Sequence, residues 1–190
     1  MRLKHSLLVV PVMGMAVPAL AHTGGHAASG LVDGFAHPFG GLDHLLAMVA
    51  VGLFAAALGG RARWAVPATF ASMMLVGGII GFMSIEIPAV ETGIAFSVIV
   101  FGAVLATGTR CVISVAMMLA GIFAIFHGHA HGAEMPMEAA AGLYCLGFAS
   151  ATILLHGVGL AVGTALSHRQ MIHRWAGAGI SIAGLVLSLS

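Results

Sequence analysis

Residues 37–54 read HPFGGLDHLLAMVAVGLF, and the two halves of that stretch differ in kind. From Leu45 to Phe54 every residue is uncharged, and all but one glycine are apolar. Ahead of them stand two histidines, a proline, two glycines and an aspartate. Proline is tolerated at a first helical position, so a helix start is expected near His37, with Gly40 and Gly41 loosening the backbone around it. Asp43 and His44 then fall inside an apolar helix. On insertion scales an aspartate at the centre of a membrane helix costs roughly 2.5–3.5 kcal/mol. A bound cation would offset that cost, and so would a structural hydrogen bond to a histidine.

The rest of the chain has the same character. Hydrophobic residues make up 60% of the 190 and charged residues 7%, against about 25% charged in soluble domains. Mean hydropathy is +1.09. A soluble fold of this length could not cover so much apolar surface, whereas a bundle in lipid has no need to. Approximate apolar stretches run over 31–59, 64–83, 88–107, 111–131, 138–163 and 174–189, and about 20 residues suffice to cross a ~30 Å hydrocarbon core. The expected fold is all-α: a polytopic membrane bundle of six transmembrane helices, forming one domain over 22–190. The connections leave no room for a second domain. Gly77 and Gly81 form a small-xxx-small pair that suggests close helix packing, within the bundle or between protomers of a homo-oligomer. Cys111 and Cys145 lack CxxC-type spacing and read as buried small hydrophobes.

Residues 1–21 are expected to be a signal peptide. Arg2 and Lys4 precede an apolar run, and Ala19-Leu20-Ala21 is an A-x-A cleavage signal. Cleavage would expose His22 as a new N-terminus whose amino group and imidazole form a ready chelate. Every arginine of the remaining chain (Arg61, Arg63, Arg110, Arg169 and Arg174) falls in alternate loops, while Glu86, Glu91, Glu134 and Glu138 gather on the other side. The positive-inside rule places the arginine loops in the cytoplasm and both mature termini in the periplasm of a bacterial inner membrane. The signal peptide implies the same orientation independently. A net charge of +1 with no basic patch gives nucleic acid nothing to bind.

Eleven histidines outnumber both the six acids and the seven Lys and Arg, although histidine is costly in hydrocarbon without a partner or a task. Residues 127–134 read HGHAHGAE. On a continuous helix His127, His131 and Glu134 share one face, and His129 points elsewhere. Alternatively, Gly128 and Gly132 unwind the segment so that all three histidines converge. Imidazole suits first-row divalent ions such as Ni²⁺, Zn²⁺ and Cu²⁺, with carboxylate a harder partner. Glu91, near the outer start of the third span, joins this group by position. His156 lies deeper in the fifth span, as a second station or a packing residue. His168 and His173 read as solvated loop residues.

At HPFGGLDH (37–44), followed by LLAMVAVGL, and at HGHAHGAE (127–134), the sequence resembles the HupE/UreJ family of nickel transport proteins. With the signal and six spans the resemblance covers essentially the whole chain. It implies secondary transport of Ni²⁺, with Co²⁺ a second substrate, from periplasm to cytoplasm for hydrogenase or urease assembly. By motif match it carries His37, Asp43, His44, His131 and Glu134 over as site residues and leaves the roles of His127 and His129 open. No tightly bound cofactor is expected, and the divalent ion is cargo. The chain has no GxxxxGK[ST] loop with which to hydrolyse ATP. Two other readings compete: an intramembrane metal-dependent hydrolase, which lacks HExxH and an evident nucleophile here, and a metal sensor or accessory membrane subunit.

Overall fold

The computed structural model describes residues 26–135 and 141–189, and for 26–29 the backbone alone. The expected signal peptide, His22 and Glu138 lie outside the described residues. Among those described, all regular structure is helical: α1 (His26–Ala36), a 3-10 turn (His37–Phe39), α2 (Leu42–Leu58), α3 (Ala62–Phe82), α4 (Val90–Thr107), α5 (Ile113–Ala133), α6 (Ala141–Ala165) and α7 (Gln170–Leu187).

The expected first span, 31–59, is not one helix. It breaks at the histidine signature, and its two halves meet at 81°. Pro38 enters the 3-10 turn, and Gly41 is extended (φ −111°, ψ 124°) where it caps α2. Proline without an N–H and glycine with a free backbone end one helix and begin the next. The four helices α3 to α6 are long and apolar enough to cross a membrane, and the bent pair brings the number to five. Helix α7 matches α4 in length at 18 residues. It falls short on apolarity because Gln170, His173 and Arg174 occupy its first turns.

Large apolar side chains face outward along these helices, including Ile79, Phe96, Met118, Leu146 and Ile153. That surface is untenable in water and natural in lipid, so the chain is a multi-pass membrane protein. The arginine loops share one end of the bundle, where Arg63, Arg110 and Arg174 line a common cavity of about 500 Å³. Trp64 and Trp175 stand outward beside Arg63 and Arg174, 62% and 71% exposed, as indoles do at a membrane interface. His173 is not simply solvated, since its Nε2 donates to the Gly163 carbonyl at 2.9 Å. Cys145 is likewise not buried but exposed on α6.

Inside, α3 lies along α5, α4 along α7, and α2 along α6. The α3–α5 contact is backbone on backbone. A Cβ at Gly77 would strike the Ile125 carbonyl, and one at Gly81 the His129 carbonyl. In return, one at Gly128 would strike the Met74 carbonyl, and one at Gly132 the Gly78 carbonyl. The small-residue pair therefore serves packing within the bundle. We expect Gly128→Val to force α3 and α5 apart at a cost of at least about 1–3 kcal/mol, read as a lower thermal midpoint of the detergent-purified chain. Gly179→Ala, where a Cβ meets open space, should leave that midpoint unchanged.

Candidate metal site

Helix α5 runs unbroken through Ala133, so the glycines do not unwind it. Gly128 and Gly132 serve α3, while His127 and His131 face the interior. His127 is fully buried and His131 nearly so, at 0% and 5% exposure. Glu134 follows at the C-cap, at the negative end of the helix dipole, where a carboxylate is disfavoured and gains from a nearby cation.

The break between α1 and α2 brings His37 to meet this face. His37 Nε2 lies 3.2 Å from Glu134 Oε2. The ligand atoms of His37, His131 and Glu134 all fall within 4.8 Å of one another, a spacing at which one ion could bind all three. A cleft of about 470 Å³ opens onto them, and Asp33, Asp43 and His44 also line it. The His131 ring sits edge-on to two others, 4.7 Å from His37 and 4.4 Å from His44 between centroids. Both His131 nitrogens are buried and lack a hydrogen-bond partner among the described residues. Burying a polar atom unpaired costs free energy, and unpaired polar atoms in a native interior call for an explanation. A cation at this point supplies one.

Asp43 and His44 are a pair. Asp43 Oδ1 accepts from the His44 backbone N–H at 2.8 Å and from its Nδ1–H at 2.9 Å. A carboxylate holding one imidazole nitrogen fixes the ring and leaves the lone pair of the other nitrogen free, the arrangement that orients histidines toward metals. The aspartate also sits in the first turn of α2, where the helix dipole favours it. Gly41 leaves room for this geometry, since a Cβ there would lie 2.7 Å from Asp43 Oδ1. The hydrogen bond to a histidine that the sequence left open is present. It does not compete with a cation, because it leaves His44 Nε2 buried and without a partner among the described residues.

The remaining expected residues are placed as follows. Glu91 is exposed in the first turn of α4 and does not line the cleft. His129 turns away from the cluster and donates from Nε2 to the Ile85 carbonyl at 2.8 Å. His156 is buried deeper on α6, its ring edge-on to Phe70 at 5.1 Å, and Phe70 in turn lies 5.6 Å from His127. Three residues had not been singled out from the sequence. Asp33 lines the cleft, and its position four residues before His37 was the available signal. Ser97 holds His127 at 2.9 Å. Phe148 packs against His131 at 4.1 Å.

Asp43→Asn should keep the fold and lose the orientation of His44. We expect Ni²⁺ affinity of the purified chain to fall about 10–100-fold, the usual effect of removing such a supporting group, measured by calorimetric titration.

A model of the family described as HupE / UreJ protein matches residues 10–187. Protein HupE of Rhizobium leguminosarum bv. viciae is 42% identical over 188 residues, covering 97% of this chain and 98% of that protein. No solved structure gives a significant match.

Proposed function

This chain belongs to the HupE/UreJ family, and we propose that it is a secondary permease carrying Ni²⁺, with Co²⁺ a second substrate, from periplasm to cytoplasm for metalloenzyme maturation. The observation that carries the reading is the convergence of His37, His131 and Glu134 within 4.8 Å, beside the Asp43–His44 pair, at the end of the bundle opposite the arginines. Two borderline imidazoles and one harder carboxylate suit a first-row divalent ion. The mixed set also favours release, because a conduction site must bind weakly enough to let its ion go.

In this reading a cleaved signal peptide, residues 1–21, delivers six spans to the bacterial inner membrane. The bent α1–α2 pair is the first span and α7 the last. Both mature termini face the periplasm, as does the cleft. Asp33, exposed beside the cleft mouth, attracts the hydrated cation, and Glu91 adds negative charge at the same end. His37, His131 and Glu134 replace part of its water shell, and His44 receives it next. Further in, His156 continues the line toward the arginine end. The ion's gradient, the membrane potential or proton exchange drives the movement.

Proteoliposomes holding this chain alone should accumulate radioactive nickel. Asp43→Asn and His44→Ala should abolish accumulation while leaving the amount of inserted protein unchanged. A wild-type chain that inserts and accumulates no nickel refutes the permease reading, and cleavage of a peptide or lipid by that same preparation would establish the hydrolase instead. Competition by unlabelled Co²⁺, Zn²⁺ and Cu²⁺ ranks the substrates.

A further inference from the structure

We infer that the histidine cluster holds its cation at two successive positions that share His131, and that Ser97 makes His127 a ligand of the inner one. The inference rests on the permease reading and deepens it. The outer position is the His37, His131 and Glu134 trio. The inner one is formed by His44, His127 and His131, whose rings adjoin in sequence, 4.4 Å from His131 to His44 and 4.8 Å from His44 to His127.

Proton counting carries the argument. A neutral imidazole has one N–H and one lone pair. His44 gives its N–H to Asp43, so its lone pair is on Nε2. For His127 the deciding group is Ser97, fully buried on α4. The Ser97 hydroxyl donates its single proton to the Ile94 carbonyl at 2.6 Å. Its contact with His127 Nε2 at 2.9 Å is therefore one in which the serine accepts and the histidine donates. That fixes His127 with its proton on Nε2 and its lone pair on Nδ1. His44 Nε2 and His127 Nδ1 are both buried, and neither has a hydrogen-bond partner among the described residues. Two bare lone pairs on adjoining rings in an apolar interior can be shared by one cation.

His131 links the positions. Its ring touches both His37 and His44, and as a neutral imidazole it offers one lone pair at a time. The outer and inner positions therefore exclude each other, and an ion passes between them without returning to water. Among the described residues the outer trio alone has its ligand atoms within 4.8 Å, so the inner set closes on the ion by small side-chain rotations. Moving inward exchanges the Glu134 carboxylate for imidazole. The inner position therefore favours nitrogen-seeking ions over hard ones such as Mg²⁺. Phe70, packed between His127 and His156, forms its floor.

The test uses the full chain in detergent or nanodiscs and reads Ni²⁺ binding rather than transport. His37→Gln with Glu134→Gln removes the outer position. That double variant should still bind about one Ni²⁺ per chain, with nitrogen-dominated coordination by X-ray absorption. Adding Ser97→Ala should weaken this binding about tenfold or more, and Ser97→Thr, which keeps the hydroxyl, should restore it. Independently, ¹⁵N-histidine spectra of the metal-free chain should show His127 protonated on Nε2, and Ser97→Ala in the otherwise intact chain should mix its tautomers. A double variant that folds and binds no nickel, or a His127 tautomer indifferent to Ser97, overturns the inference. Neither result depends on uptake, so a failure of transport and a failure of the inner position are told apart.

Discussion

A neutral imidazole sealed away from water must place both its proton and its lone pair. Proton acceptors for histidine are plentiful inside this bundle: the carboxylate of Asp43, the hydroxyl of Ser97 and the carbonyls of Ile85 and Gly163. Donors for the lone pairs are fewer. An apolar helix spends its N–H groups on its own carbonyls, and the rings packed on these histidines are Phe70, Tyr144, Phe148 and one another. The polar chemistry of the site comes from that shortage.

Most of the fold was legible because membrane helices are written in composition. Helices α3, α4 and α5 begin and end within two residues of the apolar stretches read from the sequence, because loops at a membrane surface are short and polar. The error at 31–59 has a physical cause. Hydropathy does not distinguish one long helix from two helices joined at a corner. The corner was written in Pro38, Gly40 and Gly41, residues read as the start of a helix when they mark a change of direction. Helix α7 shows the reverse problem: it begins at Gln170, about one turn ahead of the apolar stretch, and a boundary in polar sequence leaves no mark in hydropathy.

The site was legible where it depends on spacing along one helix. His127, His131 and Glu134 follow from the helical period. So does the exclusion of His129, once α5 is known to be unbroken. It was illegible where it depends on pairing between helices. Ser97 is one small residue in an apolar run, and nothing along α4 says that it faces His127. The sequence left Asp43 open between a cation and a histidine, and its carboxylate takes the neighbouring His44, an outcome of side-chain geometry that spacing does not carry.

The glycine seam between α3 and α5 bears on how ions are told apart. With backbone resting on backbone, the seam has no side chains to compress, so His127 and His131 are mounted on a stiff rail. His37 and His44 stand on either side of the corner between α1 and α2, and both of those helices rest on α6 in the same manner, at Gly34, Gly52, Gly147 and Gly159. In the proposed permease the whole cage around the ion is therefore stiff, and a cation would be chosen by how well its preferred bond lengths and angles match fixed positions as much as by the identity of the atoms that hold it.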